Sequence, residues 1–204
     1  MKNILAKKRK LHFIGIGGIG MSSIASILLS RGFKISGSDI KPNRLTQKLK
    51  ETGACIFIGH RAENLPGDAD AVVYSTSIDE KNPEIIKAKK LRLPIMHRSD
   101  IVAELVNRVK GVAVTGAHGK TTTTAMSALL LTEAGLDPTA IVGGEVGYFD
   151  ANWRDGKGGF AVCEADESDG TFLKLKPRCA ILTNIDEEHL DYYGNLKNII
   201  DANS

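Results

Sequence analysis

Aromatic side chains are scarce in this chain, at 5% of residues, and the formal net charge is only +3, with acidic and basic residues interspersed. Proteins that bind nucleic acid carry a basic face and rings on which bases stack. Neither stands out in the sequence, so nucleic acid is not an expected partner. Cysteine is equally sparse: Cys55, Cys163 and Cys179 are odd in number and none is spaced as Cys-x-x-Cys. A disulfide framework and a cysteine zinc site are thereby excluded, and a reducing cytoplasm fits. Long apolar runs are missing too, with one apparent exception. Residues 11–30 are nearly uncharged and follow Lys7, Lys8, Arg9 and Lys10, the outline of a signal peptide or membrane anchor. Gly15, Gly17, Gly18 and Gly20 interrupt that run, Ser22, Ser23 and Ser26 follow, and no small-residue cleavage site comes after. The segment therefore reads as part of a folded domain, with no membrane insertion expected.

What remains is ordinary for a globular protein: 42% apolar and 25% charged residues over 204 positions, enough for one large or two small domains. The early pattern is a strand over 11–16, a glycine turn, a helix over 20–30 stopped by Gly32, and a strand over 33–37. Gly15, Gly17 and Gly20 match G-x-G-x-x-G, which lets the chain turn sharply and lets backbone amides approach a diphosphate. Asp39 stands about 20 residues on, where ribose or base contacts are made. These residues leave the nucleotide unspecified. Strands over 55–58, 71–74 and 94–96 and helices from Pro83, capped by Asn82, and over 100–108 continue the alternation. His60 and the Ser75, Thr76, Ser77 segment follow strand ends, the edge at which open α/β sheets bind ligands. The expected fold is α/β, with a Rossmann-like first domain over 1–108 and a phosphate-loop domain over 109–204.

Residues 115–124, TGAHGKTTTT, follow the apolar Val112, Ala113 and Val114 and open a helix that stops at Gly135. A glycine-bracketed turn with helix amides pointing over it is a phosphate cradle. Lys120 can reach the outer phosphates of a nucleoside triphosphate, and the Thr121 or Thr122 hydroxyl can hold magnesium. The spacing is tighter than in the common phosphate loop, because the first glycine is Gly116, only three residues before Gly119. Downstream, an apolar strand over 160–163 runs into Glu164, Asp166, Glu167 and Asp169, carboxylates delivered at a strand end as a magnesium site requires. A strand over 180–182 then leads to Asn184 and, past more acids, to His189.

The motifs GIGGIGMSSIA, SGSD, YSTSI, TGAHGKTTTT, EADESD and TNIDEEHLDYY occur in the order found in the Mur ligases, and the chain resembles that family along its length. The resemblance implies a first domain that holds a UDP-sugar and a central domain that holds ATP. The implied activity joins L-alanine to the lactyl carboxylate of UDP-N-acetylmuramate in peptidoglycan synthesis, with ATP and Mg2+, through an acyl phosphate that the amine attacks. It assigns ATP to Gly116, Ala117, His118, Gly119, Lys120, Thr121, Thr122 and Asn184, and magnesium to Thr121, Glu164 and His189. Lys120, Glu164 and His189 would carry the catalytic charge neutralisation. Gly15, Gly17, Gly18, Gly20, Met21, Ser38, Asp39, His60, Ser75, Thr76 and Ser77 would line the UDP-sugar site. No covalent nucleophile is expected.

The residues from Gly111 onward number about 94, short for the family's central sheet by ordinary domain sizes. The expectation is an incomplete central domain and no C-terminal domain, hence a fragment with little ligase activity alone. A murein-recycling ligase that adds a tripeptide to the same UDP-sugar, and a non-catalytic module binding NAD through residues 15–39, are the competing readings.

Overall fold

The computed structural model describes residues 5–6, 9–165 and 171–186 and divides the chain into two compact units, Met1–Glu104 and Leu105–Ser204. The division lies four residues before the boundary read from the sequence.

The first unit contains β1 (Lys10–Ile14), α1 (Ile19–Ser30), β2 (Lys34–Asp39), α2 (Arg44–Glu51), β3 (Cys55–Ile58), β4 (Ala71–Tyr74), α3 (Pro83–Lys90), β5 (Ile95–His97) and the start of α4 (Arg98–Val106). Its sheet runs β3-β2-β1-β4-β5, with every pair parallel. The order reverses beside β1, so the crevice at the carboxyl end of β1 is the switch point where such sheets bind ligands. β1 is central and covered on both faces, which is why Leu11, Phe13 and Ile14 are all buried and His12 between them is buried too. α1 is buried nearly all round: Met21, Ile24, Ala25, Ile27 and Leu28 pack inward, each larger side chain contributing about 1.5–3 kcal/mol. Ser22 and Ser23 are buried with them because their hydroxyls donate to carbonyls of Ile19 and Gly20 one turn back. α2 was not foreseen, although its start carries a reciprocal cap in which Asn43 Oδ1 accepts from Thr46 N–H and Thr46 Oγ1 from Asn43 N–H, both at 2.9 Å.

The second unit contains β6 (Lys110–Thr115), α5 (Lys120–Glu133), β7 (Thr139–Val146), β8 (Ala151–Arg154), β9 (Phe160–Glu164), α6 (Thr171–Lys174) and β10 (Cys179–Leu182). Its sheet runs β10-β6-β9-β7-β8 and is parallel except for β8, which pairs antiparallel with β7. Val114, Ala128, Ala140, Val142 and Val162 form its core. Short as it is, this stretch builds five strands. β7 and β8 escaped the sequence reading because Gly143 and Gly144 interrupt the apolar run of β7 and the pairing shifts register there. Among the described residues no helix is long and apolar enough to cross a membrane.

Cys163 is fully buried on β9, and burial, with the Glu164 carboxylate beside it, pushes its thiol up to about 12. Cys55 and Cys179 are exposed. A chromogenic disulfide reagent at pH 8 will therefore titrate two thiols in the folded chain and all three after denaturation. Rapid reaction of Cys163 in the native protein would contradict this packing.

Candidate functional site

The glycine turn after β1 is tied to the ends of β2 and α2. Gly15 and Ile16 N–H groups both donate to Ser38 O, at 2.8 and 3.0 Å, and Gly17 N–H donates to Asp39 Oδ2 at 2.7 Å. Asn43 Nδ2 donates to Gly17 O at 3.0 Å. A Cβ on Gly17 would stand 2.7 Å from Asn43 Nδ2 and 2.8 Å from Asp39 Oδ2, so this close approach admits only glycine. One oxygen of Asp39 is thus committed to the turn itself. α1 starts at Gly18 with no capping side chain, and a helix start of this kind can receive an anion. Ile78 packs on Gly15 and brings the Ser75, Thr76, Ser77 segment to the turn, where the Ser75 and Ser77 hydroxyls bond each other at 2.8 Å.

Two residues assigned to the sugar site turn their side chains inward. Met21, assigned to the UDP-sugar surface, is 3% exposed and belongs to the core. The Ser38 hydroxyl faces inward and serves a buried cluster. Arg98, which the sequence reading passed over, lays its guanidinium against Gly20 in the first turn of α1.

That cluster centres on Glu84 of α3, and Glu84 and His12 are both fully buried. Glu84 Oε2 accepts from His12 Nε2 at 2.6 Å and from the Ser38 hydroxyl at 2.8 Å. Its Oε1 accepts from His60 Nδ1 and from Arg61 N–H, each at 3.2 Å. Burial works to raise this carboxyl, but the bonds from His12, Ser38 and His60 outweigh it and hold Glu84 below its ordinary value of 4.5.

In the second unit, β6 delivers the phosphate loop. Gly116 has φ +121°, and a Cβ there would also meet Thr183 Oγ1 and Asn184 O, so backbone conformation and packing both demand glycine. Thr183 Oγ1 donates to His118 O at 2.7 Å, while Asn184 Oδ1 accepts from His118 N–H and Asn184 Nδ2 donates to His118 O, both at 2.9 Å. The Asn184 amide, assigned to the nucleotide, is used at both ends to hold the loop. Gly119 begins α5 without a side-chain cap. Lys120 Nζ lies on the Gly116 and Ala117 carbonyls, and the His118 ring pairs with Asp186 at 3.4 Å. Thr122 is exposed on the first turn of α5.

Thr121 and Glu164 meet at residues sequence reasoning missed. Glu164, at the end of β9 and in register with Val114 of β6, accepts from Gly143 N–H at 2.6 Å. The Thr121 methyl packs against Gly144. The Gly143-Gly144 pair is the signal, since two adjacent glycines in a strand mark a close approach. Hydroxyl and carboxylate oxygens are the donors magnesium takes together with substrate phosphates, and Thr121 and Glu164 each carry one. His189 and the acids at 166, 167 and 169 lie outside the described residues. Among the described residues, no three His, Cys, Asp or Glu side chains gather as a metal cluster.

Residues 10–110 match the family model described as Mur ligase family, catalytic domain, and residues 114–204 match the Mur ligase middle domain. The chain is 53% identical to the UDP-N-acetylmuramate–L-alanine ligase of Pelotomaculum thermopropionicum over 96% of its own length and 42% of the relative's. It is 54% identical to the enzyme of the same name from Aquifex aeolicus, over 95% of this chain and 42% of that one. Among solved structures, the alanine ligase MurC of Thermotoga maritima superposes with TM-score 0.88 at 38% identity, covering 95% of this chain and 45% of that one. A UDP-N-acetylmuramate:L-alanyl-gamma-D-glutamyl-meso-diaminopimelate ligase from Neisseria meningitides gives 0.86 at 29%, covering 94% and 65%. The chain thus spans about two fifths of the length of the curated relatives it matches.

Two measurements test this geometry. Asn184→Ala leaves the His118 N–H without its partner and the His118 carbonyl with the Thr183 hydroxyl alone, and denaturant unfolding will show a loss of about 1–3 kcal/mol. Unchanged stability would show that the loop holds its shape unaided. Because the Glu84 carboxyl is held low in the folded state, its contribution to stability is present above pH 4.5 and is lost as pH falls through the folded value. Melting curves between pH 7 and 3 will show the wild type losing stability below that point, whereas Glu84→Gln, about 2–4 kcal/mol less stable at neutral pH, will fall less steeply.

Proposed function

The chain belongs to the Mur ligase family, and on that premise we propose that it supplies the sugar-nucleotide and ATP-binding parts of a ligase that joins L-alanine to the lactyl carboxylate of UDP-N-acetylmuramate. The observation that carries the ATP half is the glycine loop that β6 runs into, followed by the uncapped start of α5 with Lys120 and Thr121 in its first turn, while Glu164 ends the neighbouring strand β9. Among the described residues the acceptors on Lys120 Nζ are two neutral carbonyls, which its ammonium can exchange for the outer phosphate oxygens. The amides of the loop and of the first turn of α5 bind and orient the triphosphate. Thr121, Glu164 and His189 would hold magnesium, whose charge offsets that of the phosphoryl group in transfer. The turn from Gly15 to Gly20 and the exposed start of α1 support binding of the UDP diphosphate, with Arg98 as a cation at the same turn. The reading includes a cytoplasmic location, where ATP and UDP-sugars are made.

A ligase that transfers a preformed peptide to the same UDP-sugar is the second reading, favoured by the likeness to the Neisseria enzyme. The closer sequence match to the Thermotoga alanine ligase favours alanine. Calorimetry on the purified chain decides the binding claims: ATP with Mg2+ and UDP-N-acetylmuramate will each bind. Lys120→Ala will weaken ATP at least about tenfold with the melting temperature unchanged. Binding of NAD with none of UDP-N-acetylmuramate would replace this proposal with a dinucleotide-binding regulatory module.

A further inference from the structure

The buried cluster around Glu84 reaches the sheet edge at one place, His60. An ionised carboxylate has no hydrogen to give, so every group on Glu84 is a donor. Ser38 spends its only proton on Glu84 Oε2 at 2.8 Å. Ser38 Oγ, 2.9 Å from His60 Nδ1, is therefore an acceptor there, as is Glu84 Oε1 at 3.2 Å. Both partners require the proton of His60 on Nδ1. The tautomer follows from the neighbours, and the imidazole's Nε2 is left to the outward side, where 17% of the side chain is exposed. Ser38 joins this arrangement to the glycine turn, because its carbonyl accepts the Gly15 and Ile16 amides and Asp39, next in sequence, accepts that of Gly17.

We propose that Glu84 is a positioning residue: with Ser38 it holds Nδ1 of His60 and so presents Nε2 to the sugar nucleotide bound at the glycine turn. The ligand half of this statement rests on the sugar-nucleotide reading above. His12 from β1 completes the anchor, locked between Glu84 Oε2 at 2.6 Å and Ser36 Oγ at 2.9 Å. The charged and titratable groups facing His60 are Glu84 from α3 and, along its own chain, Arg61. His12 lies behind Glu84, and Asp39 sits on the turn. No free imidazole has this preference, since neutral histidine in water carries its proton mostly on Nε2.

Nitrogen-15 NMR of the imidazoles, with His60 assigned through His60→Gln, tests the anchor without ligand. The wild type will show neutral His60 protonated at Nδ1. Glu84→Gln will release it toward the Nε2-protonated form. The ligand half is read by calorimetry with UDP-N-acetylmuramate. Glu84→Gln and His60→Gln will each weaken binding roughly tenfold, and the double variant no further, because the first acts through the second. Additive losses, or an unchanged His60 tautomer in Glu84→Gln, would reduce Glu84 to a structural role and overturn the proposal. Should Glu84→Gln fail to fold, His60→Gln, altered at the partly exposed end of the cluster, still decides: binding equal to wild type overturns it. Absence of any UDP-N-acetylmuramate binding by the wild type would sink the sugar-nucleotide reading, while the NMR result judges the anchor separately.

Discussion

The first turn of an α-helix has amides that no residue of the helix can satisfy, and this chain treats them in two ways. α2 and α3 are closed by Asn43 and Asn82, whose side chains accept from Thr46 N–H and Glu84 N–H at 2.9 Å. α1 and α5 start at Gly18 and Gly119 with no side-chain cap. A protein that leaves two helix starts uncapped at strand ends, at a stability cost of about 1 kcal/mol each, has given up local stability where a ligand's negative charge can restore it. Both uncapped helices follow the strand that sets the core of their unit, β1 and β6, so the fold positions each helix start without side chains of its own.

This division also explains what was legible in the sequence. Glycine-rich turns follow from local conformational need: Gly116 has a positive φ, and Gly17 faces a side-chain wall. Such needs are written in residue type and spacing, and so the parallel strands of the first unit, the turn after β1 and the loop after β6 could be read directly. β3 and β4 came out with the bounds the structure gives, and Asn82 with its cap on α3.

What could not be read depends on partners distant in sequence. His12 and Glu84 are separated by 72 residues, and nothing local distinguishes Glu84 from any acidic residue in a helix's first turn. Its burial is set by α3 packing on the sheet. Asn184 is similar: it lies 66 residues from His118, and its role as a brace appears only because β10 pairs with β6. β7 was missed for the opposite reason. Its two glycines weaken the strand pattern, and they are there because Glu164 and Thr121 close on that backbone from either side.

The placing of Lys120 shows how such a loop can be both stable and receptive. An ammonium with no acceptor in a partly buried loop would cost several kcal/mol, yet one paired to a carboxylate would resist exchange. Two neutral carbonyls, Gly116 O and Ala117 O, satisfy the lysine without competing strongly for it. A phosphoryl oxygen carries negative charge, so the ammonium gains a Coulombic attraction there that a neutral carbonyl dipole does not offer. The exchange therefore runs downhill toward the ligand. The brace from Thr183 and Asn184 meanwhile fixes the His118 backbone beside the lysine.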